Sequence, residues 1–211
     1  VTTCRRLTKA INDPNAPIEI ISATSDDLFK AYLGRKAELP SFDGELLMDV
    51  HATGCYTSQT AMKYYNRRNE ELTGAAERAA VAADWLGALA YDQRKLTEIW
   101  QRFIWHQFHD DLTGTSIPEA YTWSWNDELI SLKQFGDVLT TSVGAVSRGL
   151  DTDVKGLPVV LYNAAGFEVS DVVEVTLPLE GSKFTVYDDK GVRVPSQVLG
   201  TQQGQTRLLV E

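Results

Sequence analysis

Cysteine is scarce in this sequence: Cys4 and Cys55 are the only two in 211 residues. Two thiols so far apart make no disulfide framework, and without a Cys-x-x-Cys pair there is no thiolate metal or redox motif. The redox compartment therefore stays open. No apolar run approaches the ~18 residues of a membrane-spanning helix, and no leader pattern opens the chain. No membrane partner is expected, and localisation is unassigned beyond a soluble character. Basic charge is also short, since 20 Lys and Arg face 29 Asp and Glu, a formal net charge of −9. That balance argues against a nucleic-acid partner, which needs clustered cations. No Asn-x-Ser/Thr glycosylation acceptor occurs, and there are only three histidines.

What is present is ordinary for a folded protein: 43% hydrophobic and 23% charged residues, in a length that suits one large domain or two small ones. The chain opens at Val1 and stops at Glu211, inside a strand-like run over 206–210. A fragment of a longer polypeptide is expected from those ends.

The β-branched Ile18, Ile20 and Ile21 predict a strand. Thr24 then caps a helix, with Asp26 and Asp27 in its first turn, where the helix dipole favours carboxylates. Such a strand–helix step is typical of the last βα unit of a larger α/β domain. Residues 39–44 read as an irregular link. A long helix is predicted over 57–91 from Tyr65, Leu72, Ala79 and Leu86, with Ala76, Ala83 and Ala90 on the adjacent seam. A second helix is predicted over 93–109 from Leu96, Ile99, Trp100, Phe103 and Ile104. A third starts at Ser116, with Glu119 completing a capping box and Pro118 in the first turn. Its apolar stripe is Tyr121, Trp125, Leu129, Leu132, Leu139, Val143 and Val146. From about Asp151 the period shortens, and strands are expected over 157–163, 168–177, 182–188, 192–199 and 206–210. The fold class read from this pattern is multidomain α+β. A central antiparallel three-helix bundle is followed by an antiparallel β-sandwich-like segment and preceded by the last βα unit of an α/β domain.

Two of the three histidines, His106 and His109, lie together in Trp105-His106-Gln107-Phe108-His109-Asp110-Asp111. Imidazole and carboxylate are usual zinc donors. On a continued helix, His109 would face roughly 150° away from the apolar stripe, with His106 nearer its edge. A lone histidine on a helix is more often structural or surface than a ligand, and that alternative stays open for both. It stays open for His51 too, a remote candidate. Zinc needs about four ligands, and one helix end cannot direct His106, His109 and Asp110 at one ion. Tyr56, Thr57 and Gln59 could approach a site rim or simply start a helix. Asp111 could serve the site or cap a helix end. Trp123 and Trp125 could form a sugar platform, although Trp125 fits the core stripe. Residues 113–115 shape the turn that presents His109.

The run Phe108-His109-Asp110-Asp111-Leu112-Thr113-Gly114-Thr115 resembles the His-Asp-x-x-Thr/Ser-Gly-Thr pattern of glycoside hydrolase family 38 α-mannosidases. Gly44-Glu45-Leu46-Leu47, Tyr56-Thr57-Ser58-Gln59, Lys63, Asn66-Arg67-Arg68, Glu71 and Ala76-Glu77 are similar to that family's first long helix. Val160-Leu161-Tyr162-Asn163, Phe167 and residues 172–175 resemble the opening of its C-terminal β domain. The matches fall in the family's order and cover about residues 18–211. The resemblance implies that residues 1–44 are the tail of an α/β catalytic domain, 45–150 a three-helix middle domain, and 151–211 the start of a C-terminal β domain. It implies a zinc ligand at His109 and a substrate-binding carboxylate at Asp110. The other zinc ligands, the missing N-terminal catalytic domain and further C-terminal β domains would lie outside the chain. The family is a retaining one, using a carboxylate nucleophile and a carboxyl acid/base, and its substrates are α-mannosides or mannose-containing glycans. No segment here matches the family's nucleophile region or its other metal motifs, so no catalytic residue is assigned. A non-catalytic scaffold or carbohydrate-binding segment, or a self-contained helical metal-binding module, are the competing readings.

Overall fold

The computed structural model describes every residue except 1, 13, 16, 18–20 and 45–52, and at 8, 10 and 11 the backbone alone. The chain divides into two units, Val1–His51 and Ala52–Glu211. In the first, helix α1 spans Thr2–Ile11 and helix α2 spans Ser25–Tyr32, continued by a 3-10 segment over Leu33–Glu38. Helix α2 starts where the sequence placed it. The Asp27 carboxylate accepts from the Thr24 backbone N–H at 2.8 Å and from the Thr24 hydroxyl at 2.9 Å, the reciprocal half of a capping box. The expected strand falls partly on 18–20, outside the described residues, as do Glu45, Leu46, Leu47 and His51.

The second unit is built on three long helices: α3 (Thr60–Trp85), α4 (Gln93–Trp105) and α5 (Pro118–Ser147). Helix α3 stops six residues before the predicted 91, and its stop is explicit. Gly87 takes φ +68°, and the N–H of Ala88 reaches back to the carbonyl of Ala83 at 2.8 Å, the pattern of a glycine-terminated helix. Leu86, placed on the seam by its spacing, is exposed instead. The Asp92 carboxylate caps α4 by accepting from the Lys95 N–H at 2.9 Å.

Helix α4 ends at Trp105, not at 109, because the chain turns at His106. The capping box expected at Ser116 does not form. Helix α5 starts from Ile117 with no side-chain cap, and the Ser116 N–H is taken by the Asp110 carbonyl at 2.8 Å.

Contacts between α3 and α4 run in opposite senses: Tyr91 bonds Asp84, Trp100 bonds Glu77 and Gln107 bonds Asn66. Helices α3 and α5 therefore run parallel and pack directly against each other, with α4 antiparallel to both. The Asn69–Glu128 bond and the packing of Ala76 and Ala80 with Phe135 and Val138 keep this order. The buried faces follow a three-four spacing: 62, 66, 69, 73, 76, 80 and 83 on α3, where Ala79 is buried as well, and 121, 124, 128, 131, 135, 138, 142 and 145 on α5. Nearly half of this seam is polar: Asn66, Asn69, Thr73, Ser124, Glu128, Ser131 and Ser142 are buried. The apolar stripe expected on α5 is thus rotated from the real one, and Trp125 and Leu129 are exposed. The dry centre is Leu96, Ile99 and Phe103 of α4 against Ala76, Ala80, Phe135 and Val138, with Leu72 and Trp100 at its edge.

After α5, residues 157–163 carry no strand, contrary to expectation. Strands β1 (Val173–Leu177), β4 (Ser196–Gln202) and β5 (Gln205–Val210) form an antiparallel sheet in the order β1-β5-β4, and β2 (Val186–Tyr187) pairs with β3 (Arg193–Val194). Gln203 and Gly204 join β4 to β5, both with positive φ, as a two-residue hairpin turn demands. Leu177, Leu208 and Val210 anchor a second small core. The protein is therefore helix-rich with small antiparallel sheets.

Candidate functional site

Residues 106–116 fold as a run of turns between α4 and α5. Backbone bonds start it: the N–H groups of Asp111 and Leu112 reach the Phe108 carbonyl at 2.9 and 3.1 Å. Gly114, at φ +83°, lies against the start of α3. A Cβ there would come within 2.8 Å of the Ser58 carbonyl carbon, so only glycine fits without a shift. The Ser58 hydroxyl donates to the Gly114 carbonyl at 3.1 Å. The Lys63 ammonium gathers three carbonyls, those of Ser58 at 2.6 Å, Leu112 at 3.0 Å and Thr113 at 3.4 Å. From α5, the Tyr121 hydroxyl lies 3.1 Å from the Asp110 carbonyl and accepts from the Ser116 N–H at 3.1 Å.

This frame sorts its titratable residues by direction. His109 and Asp110 point outward, with side chains 77% and 52% exposed, and His109 Nε2 lies 3.5 Å from Asp110 Oδ2. The Phe108 ring lies against the imidazole, with centroids 4.2 Å apart. The Thr113 hydroxyl bonds the His109 carbonyl, and the Thr115 hydroxyl donates to Asp110 Oδ1 at 3.0 Å. His109 is thus on a turn, not on a helix as its spacing implied, although it does face away from the core.

His106 and Asp111 point inward. His106 Nδ1 is 2.6 Å from Asp111 Oδ2, and Nε2 is 3.2 Å from Asp127 Oδ2 on α5. The Ser124 hydroxyl donates to Asp111 Oδ1 at 2.8 Å. Tyr56 and Thr57 are exposed at the start of α3, next to Ser58, and Gln59 takes the left-handed conformation at the helix cap. Trp123 is exposed and so, in part, is Trp125.

No pattern in the sequence signals the buried pair Asn69 and Glu128. The Asn69 amide donates to the Glu128 carboxylate and carbonyl. Burial pushes the Glu128 carboxyl up to about 7, opposed by the Asn69 bond and by His106, and aided by Asp111 and Glu70. Asn69 Oδ1 and Glu128 Oε1 have no hydrogen-bond partner among the described residues.

An exposed imidazole beside a carboxylate is a donor set that zinc accepts. Among the described residues no group of three metal-capable side chains occurs. The pair fits one corner of a metal site, not a whole one.

Residues 50–146 match the family described as the alpha mannosidase middle domain. The chain is 29% identical over 175 residues to alpha-mannosidase G of Dictyostelium discoideum, covering 72% of this chain and 16% of that protein. It is 30% identical over 108 residues to an alpha-mannosidase of Saccharomyces cerevisiae, covering 48% and 10%. An alpha-mannosidase structure from Enterococcus faecalis V583 superposes with TM-score 0.64 at 19% identity, over 98% of this chain and 28% of that one. A glycosyl hydrolase family 38 protein from Enterococcus faecalis gives TM-score 0.61 at 19% identity, covering 100% and 28%. These structural likenesses bear on the fold. The chain spans about a sixth or less of the length of these two curated relatives.

Proposed function

We propose that this chain, whose residues 50–146 match the alpha mannosidase middle domain, is part of a glycoside hydrolase family 38 alpha-mannosidase, a zinc-dependent, retaining enzyme that hydrolyses terminal α-mannosides. The observation that carries this reading is the outward pair His109 and Asp110, held 3.5 Å apart on a turn tied to α3 and α5. His109 would be one zinc ligand, and Asp110 would accept hydrogen bonds from a bound mannoside. Zinc in such a site holds substrate oxygens and templates their geometry. The remaining ligands, the nucleophile and the acid/base would come from a catalytic domain outside this chain, and no catalytic residue is assigned here. In this reading α3, α4 and α5 are the three-helix bundle of the parent. Residues 1–44 are then the tail of its α/β domain, and 151–211 open its C-terminal, sandwich-like β domain. The exposed Trp105, Phe108, Ile117 and Trp123 flank the pair in sequence and suit a surface that another domain covers.

The test is hydrolysis of an aryl α-mannoside by the parent polypeptide, after chelation and again after zinc is restored. His109→Ala in that parent is expected to lower zinc affinity and activity together. Unchanged zinc content in the variant sinks the ligand assignment. A folded parent inactive with and without zinc leaves the scaffold or carbohydrate-binding reading in front.

A further inference from the structure

We infer that Asp111 and His106 are positioning residues for the His109–Asp110 pair, a role that rests on the reading of His109 as a metal ligand. The geometry points to it through the opposite directions of two pairs of side chains, His109 and Asp110 outward, His106 and Asp111 inward. His109 and Asp110 are turned to solvent, and neither side chain reaches into the helices. Their place in space is inherited from the backbone around them. The nearest side chain that does reach in is Asp111, the next residue along. Both of its carboxylate oxygens are held, Oδ1 by Ser124 of α5 at 2.8 Å and Oδ2 by His106 at 2.6 Å.

His106 is anchored in turn. Its second ring nitrogen faces Asp127 of α5 at 3.2 Å, and its side chain is only 6% exposed. A chain of polar contacts therefore runs from α5 through Asp127, His106 and Asp111 to the backbone immediately after Asp110. The aspartate also holds the end of α4 against α5, because His106 is the residue that closes α4. Buried polar contacts of this kind are costly to leave unmade, so the turn cannot move without breaking several at once. Outer partners that orient ligands typically change metal affinity on the order of 10-fold to 100-fold when removed. Lys63 and Tyr121 brace other carbonyls of the same turn, so loss of Asp111 loosens the turn without unfolding it.

The experiment compares Asp111→Ala, Asp111→Asn and Ser124→Ala with the unmodified parent. Zinc affinity is read by competition with a chromophoric chelator, and amide hydrogen exchange over 108–116 is read in metal-free protein. Asp111→Ala is expected to weaken zinc binding about 10-fold to 100-fold and to speed exchange across the turn. Asp111→Asn is expected to recover most of both, since an amide can still accept from Ser124 and pair with the ring in its other tautomer. Ser124→Ala removes one contact only and keeps the idea exposed if Asp111→Ala fails to fold; it is expected to weaken zinc several-fold and to speed exchange. Wild-type zinc affinity in the folded Asp111→Ala or Ser124→Ala variant, alongside loss in His109→Ala, overturns the positioning role. Unchanged affinity in His109→Ala overturns the ligand reading beneath it instead.

Discussion

Neighbouring residues in this chain can have opposite fates, and Asp110 and Asp111 are the plainest case. One carboxylate is open to solvent beside His109; the other is closed between Ser124 and His106. Glu128 is a third kind of acid, fully buried on α5, with its carboxyl pushed up to about 7 from an ordinary 4.5. The sign of its effect follows from proton counting. Between those two values the folded chain keeps a proton that the unfolded chain has released, so stability falls as pH rises through that window. The full loss across the window is roughly 3 kcal/mol, at 1.36 kcal/mol for each pH unit it spans. Glu128→Gln is therefore expected to flatten the decline between pH 4.5 and 7 and to raise the unfolding temperature at pH 8. Urea or thermal unfolding across that range checks it; an unchanged slope means that Glu128 stays ionised in the fold.

At the scale of elements, the helices were legible where the chain punctuates itself. Thr24 announces α2 as its cap, whereas the alanine seam, which runs on to residue 90, hides the stop that Gly87 makes at the end of α3, and the Asp92 cap of α4 carries no signal in the apolar spacing. The facing of α5 was not legible. Its buried positions include Ser124, Glu128, Ser131 and Ser142, so a search for apolar recurrence finds Trp125 and Leu129, which are exposed. Helical periodicity also carried α4 too far, because nothing in a hydrophobic pattern announces that His106 will be captured by two aspartates. The turn it starts was legible only through its motif and its glycine. Gly114→Ala is expected to cost about 1–3 kcal/mol from the left-handed backbone alone, and more from the approach to Ser58. Thermal unfolding of the folded variant measures it, and a wild-type melting temperature would mean that the turn relaxes freely.

For the whole chain, the distribution of chemistry matters more than its amount. The described residues offer two adjacent donors at one turn and no third within a common site. The 211 residues alone are therefore expected to be inert towards aryl α-mannosides, and zinc-dependent turnover by them would refute the division of labour proposed above. The seam between the parallel helices has a consequence of another kind. Asn69 meets Glu128 at the same seven-residue spacing that repeats along both helices. Slipping α5 by one repeat would put Asn69 beside Tyr121 or Phe135 and press the Glu128 carboxyl against Met62 or Ala76. Apolar seams tolerate such slips because one leucine replaces another, whereas a specific polar match discriminates between alignments. Asn69 and Glu128 thus work like a key cut for one notch, by which the chain tells the correct alignment from its near copies.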